Sequence, residues 1–392
     1  MTSDSTTKGA SGMRRRANSD GRSRRRRNAI RVLAVAATIL PGFTAAAQPA
    51  VADASEYRIY MHGFMSDGVV GYNASDAGPP TPIGRTPTGP PPNWPEAASP
   101  DGRFLFVAPT QNPRLIPYAI GSGGSLTPRT PLGLPDVPVD ITFAPNGRDA
   151  FVLVGVTNAA VVPVRFDSDG IVVQNGPVTP LGLAIDGLGS ASVSPDGRNL
   201  YVASVPSRQV VVFDIREDGT LSGAKQRVAG GMNPLFPTIT PDGRHLYIVN
   251  ELSATVQAFN RAEDGTLSEV AGSPYPAGLL PHVPSMTPDG RYLYVPNMGS
   301  AAISSYAIEA DGSLRALPTA DFDPRVGVYS ESSVMSPSGK VLWALGTDPM
   351  GAQEVLRRFT IGDDGTLTRD EATVLYPGTA VADGRTLTLV PA

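Results

Sequence analysis

This chain of 392 residues contains no cysteine. That excludes disulfides, thiolate nucleophiles and cysteine-ligated metals. It has three histidines and two tryptophans, too few imidazoles and no thiolates for a structural transition-metal centre. Charged residues make up 17 % of the chain and the formal net charge is −4, so no basic surface calls for a nucleic acid. The sequence has no G-x-S-x-G elbow, no H-E-x-x-H and no P-loop. No segment holds a helical period of apolar residues, and no apolar run is long enough to span a bilayer comfortably. Glycine and proline are abundant instead, with 42 and 39 copies, and they interrupt every apolar block.

The glycines are ordered. A phrase [ST]-P-[DNS]-G-[RK] comes round six times, at Ser99–Arg103, Ala144–Arg148 (first residue relaxed to Ala), Ser194–Arg198, Thr240–Arg244, Thr287–Arg291 and Ser336–Lys340. A weaker seventh copy is Val381-Ala382-Asp383-Gly384-Arg385. The glycines lie 45 to 50 residues apart. A second phrase alternates with the first, at Arg216–Leu221, Ala262–Leu267, Glu309–Leu314 and Gly362–Leu367, with looser copies elsewhere. Asp-Gly and Asn-Gly between apolar runs mark hairpins, because glycine accepts the positive φ of the turn. Each repeat therefore holds two hairpins, hence four strands a, b, c and d.

The intervening runs suit strands. Asn199–Ala203, His245–Val249 and Tyr292–Pro296 follow the first turn, and Val210–Ile215, Val256–Phe259 and Ile303–Ile308 precede the second. They are β-branched and aromatic. A period of 40–50 residues built of short strands means a β-propeller. The expectation is an all-β, seven-bladed propeller of four-stranded antiparallel blades over residues 53–392. Six cycles run from about Asn93 to about Leu375. The seventh blade takes 57–62, 69–74 and 80–86 as strands b, c and d, with 378–382 as strand a. Pairing the two chain ends closes the ring and removes exposed edges. Residues 386–390 are a surplus strand in this scheme.

Residues 1–52 read as an export signal. Ten basic residues precede the apolar stretch Val32–Leu40, followed by A-x-A sites at Ala45-Ala46-Ala47 and Ala50-Val51-Ala52. Arg26-Arg27 weakly resembles a twin-arginine signal; an ordinary Sec signal is the equal alternative. The expected location is secreted or extracytoplasmic, without a transmembrane anchor. Residues 53–392 then carry 22 basic against 34 acidic side chains.

The segment Leu246–Val256, with Asn250-Glu251-Leu252 at its centre, resembles the lactonase family of seven-bladed propellers, the 6-phosphogluconolactonase type. Asn199–Ala203 and Tyr292–Asn297 are similar to YVTN-repeat propellers more broadly. The resemblance covers roughly residues 55–392. It implies the propeller fold, action on a small lactone or its open acid, and a functional Glu251 within the Asn-Glu-Leu match. The chain departs from the family where an Arg-His pair is usual: Asn233–Pro237 holds neither. Pro135–Val139 also lacks the usual histidine, while His282 stands one blade later.

Short, uniform a–b and c–d hairpins share one face of such a ring. The variable b–c and d–a loops share the other, where function tends to sit. Polar residues there are His62, Glu96, Asp140, Asn250, Glu251, His282, Asn297, Arg325 and Glu331, with Trp94 and Phe236 as apolar wall. Lactone opening needs a base to activate water and donors where the carbonyl oxygen gains charge. Glu251 or His282 is the candidate base; Arg325, Asn250 or Asn297 the candidate donors; Glu331, Glu96, Asp140 and His62 the further substrate-lining groups. The structural alternatives are that Glu251 caps its loop and His282 bonds backbone. Asp167–Gly170 hints at a calcium loop but occupies a hairpin and lacks downstream ligands. The expectation is no metal, no cofactor, no nucleic acid, a monomer and a small-molecule ligand. The alternative function is a non-catalytic secreted propeller that binds a ligand, a cell-surface component or a protein.

Overall fold

The computed structural model describes residues 56–182, 187–379 and 384–392; of Trp94 it describes the backbone alone. The export leader 1–52 lies outside the described residues. So do residues 380–382 of the expected closing strand and the side chain of Trp94.

Seven antiparallel sheets form the seven blades. Their inner strands a are Asn93–Ala98, Pro138–Phe143, Gly189–Val193, Pro234–Ile239, Ser285–Met286, Tyr329–Met335 and Leu387–Pro391, for blades 1 to 7. In blades 1, 2 and 4 the outer strand d is split into two short pieces. The one helical turn among the described residues is a 3-10 turn at Glu251–Ser253. None of their helices is long and apolar enough to cross a membrane.

The first repeated phrase is a self-bonded turn. Ser99 Oγ donates to Asp101 Oδ1 at 2.6 Å and accepts from the Phe104 amide at 3.0 Å. Asp101 Oδ1 also accepts the Arg103 amide, and Gly102 takes φ +70°. The same bonds recur at Ser194, Thr240 and Thr287. Where Ala144 replaces the hydroxyl, Asn146 Oδ1 accepts two amides, those of Arg148 and Asp149. The second phrase works likewise: Asp218, Asp264, Asp311 and Asp364 each accept an amide and a hydroxyl two residues on. These side chains satisfy turn backbone locally, which is why the phrase is stereotyped.

Strand b of blades 1 to 6 is buried at every residue because both faces pack against neighbouring blades. The outer strand Leu221–Ala229 instead alternates between covered and exposed positions. Apolar clusters bridge adjacent blades; one joins Tyr201, Val210 and Val212 of blade 3 to Leu246, Ile248 and Phe259 of blade 4. Polar latches cross the same seams. Tyr60, Tyr201, Tyr247 and Tyr294 each donate from strand b to a glycine carbonyl in the next blade's c–d turn: Gly124, Gly265, Gly312 and Gly365. At the seam between blades 6 and 7, Trp343 Nε1 donates to Tyr57 Oη at 2.9 Å.

Blade 7 corrects one expectation. Its strands b, c and d are Glu56–Met61, Gly68–Ser75 and Thr81–Pro87, as expected. Its inner strand is Leu387–Pro391, paired antiparallel with Glu56–Met61 through Ile59↔Leu389. The stretch 386–390 is therefore the closure itself, not a surplus, and 378–382 does not supply strand a. The phrase ending at Gly384-Arg385 misdirected the count. In this blade strand b comes from the N-terminus, so no a–b hairpin follows strand a.

Candidate functional site

The loops joining b to c and d to a converge on one face. There a cavity of ≈170 Å³ is bordered by Asp140, Asn233, Phe236, Glu251, His282 and Arg385 together with the apolar Leu188, Val205 and Leu235. Phe236 and Arg385 also border the central channel of ≈560 Å³ between the inner strands. The two spaces thus share a wall.

Glu251 opens the b–c loop of blade 4. Its amide donates to the Asn233 carbonyl at 3.0 Å, and Asn233 Nδ2 donates to its Oε2 at 3.3 Å. Asn233 adopts φ +54° and Phe236 φ +50°. Such values are rare for residues with a side chain and mark a locally imposed backbone. They place Asn233 against Glu251 and set the Phe236 ring on edge to His282, with centroids 4.8 Å apart.

His282 enters from the d–a loop of blade 5. Its amide donates to the Pro296 carbonyl, and its Nδ1 lies 2.9 Å from the Glu331 carbonyl oxygen. Its Nε2 stands 4.0 Å from Glu251 Oε1. The ring is 5 % exposed and the Glu251 side chain 16 %, so the pair is sheltered yet open at the carboxylate.

Asp140 begins the inner strand of blade 2 and is buried. Its Oδ2 accepts the Ala191 amide at 2.7 Å and lies 3.6 Å from Arg385 Nη1. Burial pushes its carboxyl above the ordinary value, against the pull of Arg385 and two backbone amides. Among the described residues, Arg385 is the one Arg or Lys bordering this cavity.

The expected residues divide into three groups. Glu251, His282, Asp140 and Phe236 come together at the cavity. Asn250, Asn297, Arg325 and Glu331 do not border it. The Asn250 amide is bound within its own blade, accepting from the Gly231 amide at 2.9 Å and donating to Thr255 at 3.2 Å. Asn297 donates to the Ala302 carbonyl and to Ser304 at 3.0 Å each. Arg325 is held by Asp323 and Asp348, at 2.9 and 2.6 Å, and stacks over Tyr376. Glu331 contributes its backbone carbonyl to His282, while its carboxylate accepts from Thr347 at 3.4 Å.

His62 and Glu96 form the third group. Both are buried, and His62 Nδ1 meets Glu96 Oε2 at 3.0 Å. Beside them Glu354 is also buried, with its Oε2 accepting from Thr379 Oγ1. Burial pushes the Glu354 carboxyl up to about 7, against the Thr379 bond and the charge of His62. Glu354 binds Thr379, while the amides of Glu96 and His62 donate to the carbonyls of Arg385 and Thr386, which fixes the backbone that carries Arg385 at the cavity. No three His, Asp or Glu side chains among the described residues are arranged to hold a metal ion.

Arg385 and Asn233 were missed from the sequence. In the sequence Arg385 reads as the last residue of a turn, and Asn233 lies in the segment that lacks the Arg-His pair.

Residues 96–278 match the family model described as Lactonase, 7-bladed beta-propeller. Among solved structures, the Pseudomonas aeruginosa periplasmic gluconolactonase shares 22 % identity at a TM-score of 0.69, covering 86 % of this chain and 99 % of that one. A candidate 6-phosphogluconolactonase of Bacteroides fragilis shares 20 % identity at a TM-score of 0.71, covering 86 % and 98 %. The likeness reaches Kuenenia stuttgartiensis hydrazine synthase, with 15 % identity, a TM-score of 0.55 and coverage of 80 % and 95 %. That name denotes a different chemistry, so structural similarity at this level speaks for fold. Seven closed blades make this chain a seven-bladed propeller, and its residues 96–278, in blades 1 to 4, are similar to the lactonase family of such propellers.

Proposed function

We propose that this protein hydrolyses a small lactone in the cavity bordered by Glu251, His282 and Arg385. The observation that carries this reading is the orientation of His282. A carbonyl oxygen can only accept, so the bond to Glu331 places the proton on Nδ1. When the ring is neutral, as a general base must be, Nε2 carries the lone pair and stands 4.0 Å from Glu251 Oε1. Two acceptors at that spacing suit one water that directs a proton toward each. Its own lone pair is left to attack the lactone carbonyl.

In this scheme Nε2 takes the proton as the new C–O bond forms. Glu251 stabilises the resulting imidazolium. Arg385 supports the carbonyl oxygen as it becomes an oxyanion. The tetrahedral adduct collapses with cleavage of the ring C–O bond. Nε2 returns the proton to the leaving alkoxide, giving the open hydroxy acid. At ≈170 Å³ the cavity is smaller than the roughly 300–1,000 Å³ usual for drug-sized ligands, which suits a single small ring.

The test is Glu251→Gln assayed by pH-stat against a lactone panel. The variant keeps size and hydrogen-bonding shape but cannot balance the imidazolium charge. Turnover falls roughly 10²-fold or more if the reading is right, with the circular dichroism spectrum unchanged. Full activity in the variant removes Glu251 from the mechanism. A wild type inert to every lactone leaves the binding reading, which the missing Arg-His pair at Asn233–Pro237 favours.

We also infer export, from the order of basic run, apolar stretch and small residues in 1–52. Recovered protein beginning at Gln48 or Asp53 supports it; an intact leader on all of the protein overturns it.

A further inference from the structure

The charge around the cavity points to the kind of lactone it accepts. Among the described residues, two carboxylates, Asp140 and Glu251, border it against one arginine. Arg385 already lies 3.6 Å from Asp140. A phosphorylated sugar lactone would bring about two further negative charges toward this set. Like charges at contact distance in a partly dry site repel strongly. The excess of acidic over basic residues in 53–392 adds long-range repulsion.

The rim is apolar. Met232 precedes Asn233, and Leu252 follows Glu251; the two are side by side, since the Leu252 amide donates to the Met232 carbonyl at 3.2 Å. Leu279 lies in the loop that brings in His282. These side chains are 41, 54 and 61 % exposed. Exposed single apolar residues need no explanation. Among the described residues, however, eight of the eleven large exposed apolar side chains belong to loops of this one face, and these three adjoin cavity residues in sequence or share their loop. The other three sit together on the outer part of blade 2. A concentration on one face marks a binding surface.

We propose that the substrate is an uncharged lactone carrying a hydrocarbon substituent, the ring in the cavity and the substituent across Met232, Leu252 and Leu279. This rests on the lactone reading above. Arg208, exposed on the b–c loop of blade 3 whose Val205 borders the cavity, is the cation that could instead receive a phosphate.

Binding of inert lactams separates substrate class from catalysis. Calorimetry with the purified protein would use six-membered lactams carrying hydrogen, propyl or hexyl, and a sugar lactam with and without a phosphate. Affinity rises roughly two- to fourfold per added methylene over the first few carbons. Phosphorylation weakens binding tenfold or more. Leu252→Asp with Met232→Asp flattens the chain-length dependence. A flat dependence in the wild type overturns the proposal. So does a phosphorylated lactam that binds as well as its parent, above all if Arg208→Ala then abolishes that binding. Chain-length-dependent binding in a protein that hydrolyses no lactone sinks the catalytic reading and upholds this one.

Discussion

Glu354 offers a direct test of how burial governs this face. Its carboxyl is buried, and burial pushes it up to about 7 from an ordinary 4.5. The native state therefore keeps a proton that the unfolded chain releases above pH 4.5. Between those two values stability falls as pH rises. Below pH 4.5 the group contributes no penalty; above pH 7 the penalty is complete. A shift of that size corresponds to about 3 kcal/mol. Glu354→Gln imitates the protonated acid and still accepts from Thr379. At pH 8 the variant should be more stable than wild type by up to about 3 kcal/mol, or on the order of 5 °C in Tm for a domain of this size. At pH 5 the advantage should nearly vanish. Paired thermal melts at the two pH values read the difference directly, since acid effects elsewhere act on both proteins alike. An advantage of equal size at both pH values, or a variant weaker at both, refutes the assignment of burial as the cause.

Other outcomes follow from the same contacts. Arg385→Ala removes the cation beside Asp140, so its carboxyl should rise further; the variant should lose more stability at pH 8 than at pH 5, seen by urea melts, and lactone turnover should fall at least tenfold. Tyr247→Phe leaves the Gly312 carbonyl without its donor and should cost about 1–2 kcal/mol of unfolding free energy; no change would mean that the latch is immaterial. Deleting 387–392 unpairs Glu56–Met61, and the product should aggregate, read by light scattering against the intact chain.

The blades were legible because their turns are written locally. Five residues supply both the glycine φ and the side chains that satisfy the turn, so each copy announces itself. The closing strand was not, since Ile59 meets Leu389 from 330 positions away and nothing near either residue encodes the other. At the site, Glu251 and His282 stood out because each occurs once at its place in the repeat. Asn250 and Asn297 looked like substrate donors yet share one position at the end of strand b in successive blades. A residue that recurs with the repeat serves the blade, and both amides are bound inside their own loops. Arg385 failed the opposite way: it breaks the pattern while sitting inside an imitation of it.

The pairing of Leu387–Pro391 with Glu56–Met61 also sets an order of events during synthesis. The first three strands of blade 7 leave the ribosome before any other blade exists, and their inner partner is made only after blades 1 to 6. At about 5–20 residues per second, that edge waits on the order of tens of seconds. Blades 1 to 6 can stack on one another meanwhile, each seam forming as its second half arrives. The nascent protein is then an open arc in which the inner edge of Glu56–Met61 is unpaired, ready to accept a strand from elsewhere. Two arcs at high concentration could exchange C-terminal strands, so the yield of closed rings should depend on how crowded the folding chains are. A chaperone that shields residues 56–61 until chain completion would raise that yield without touching the finished fold.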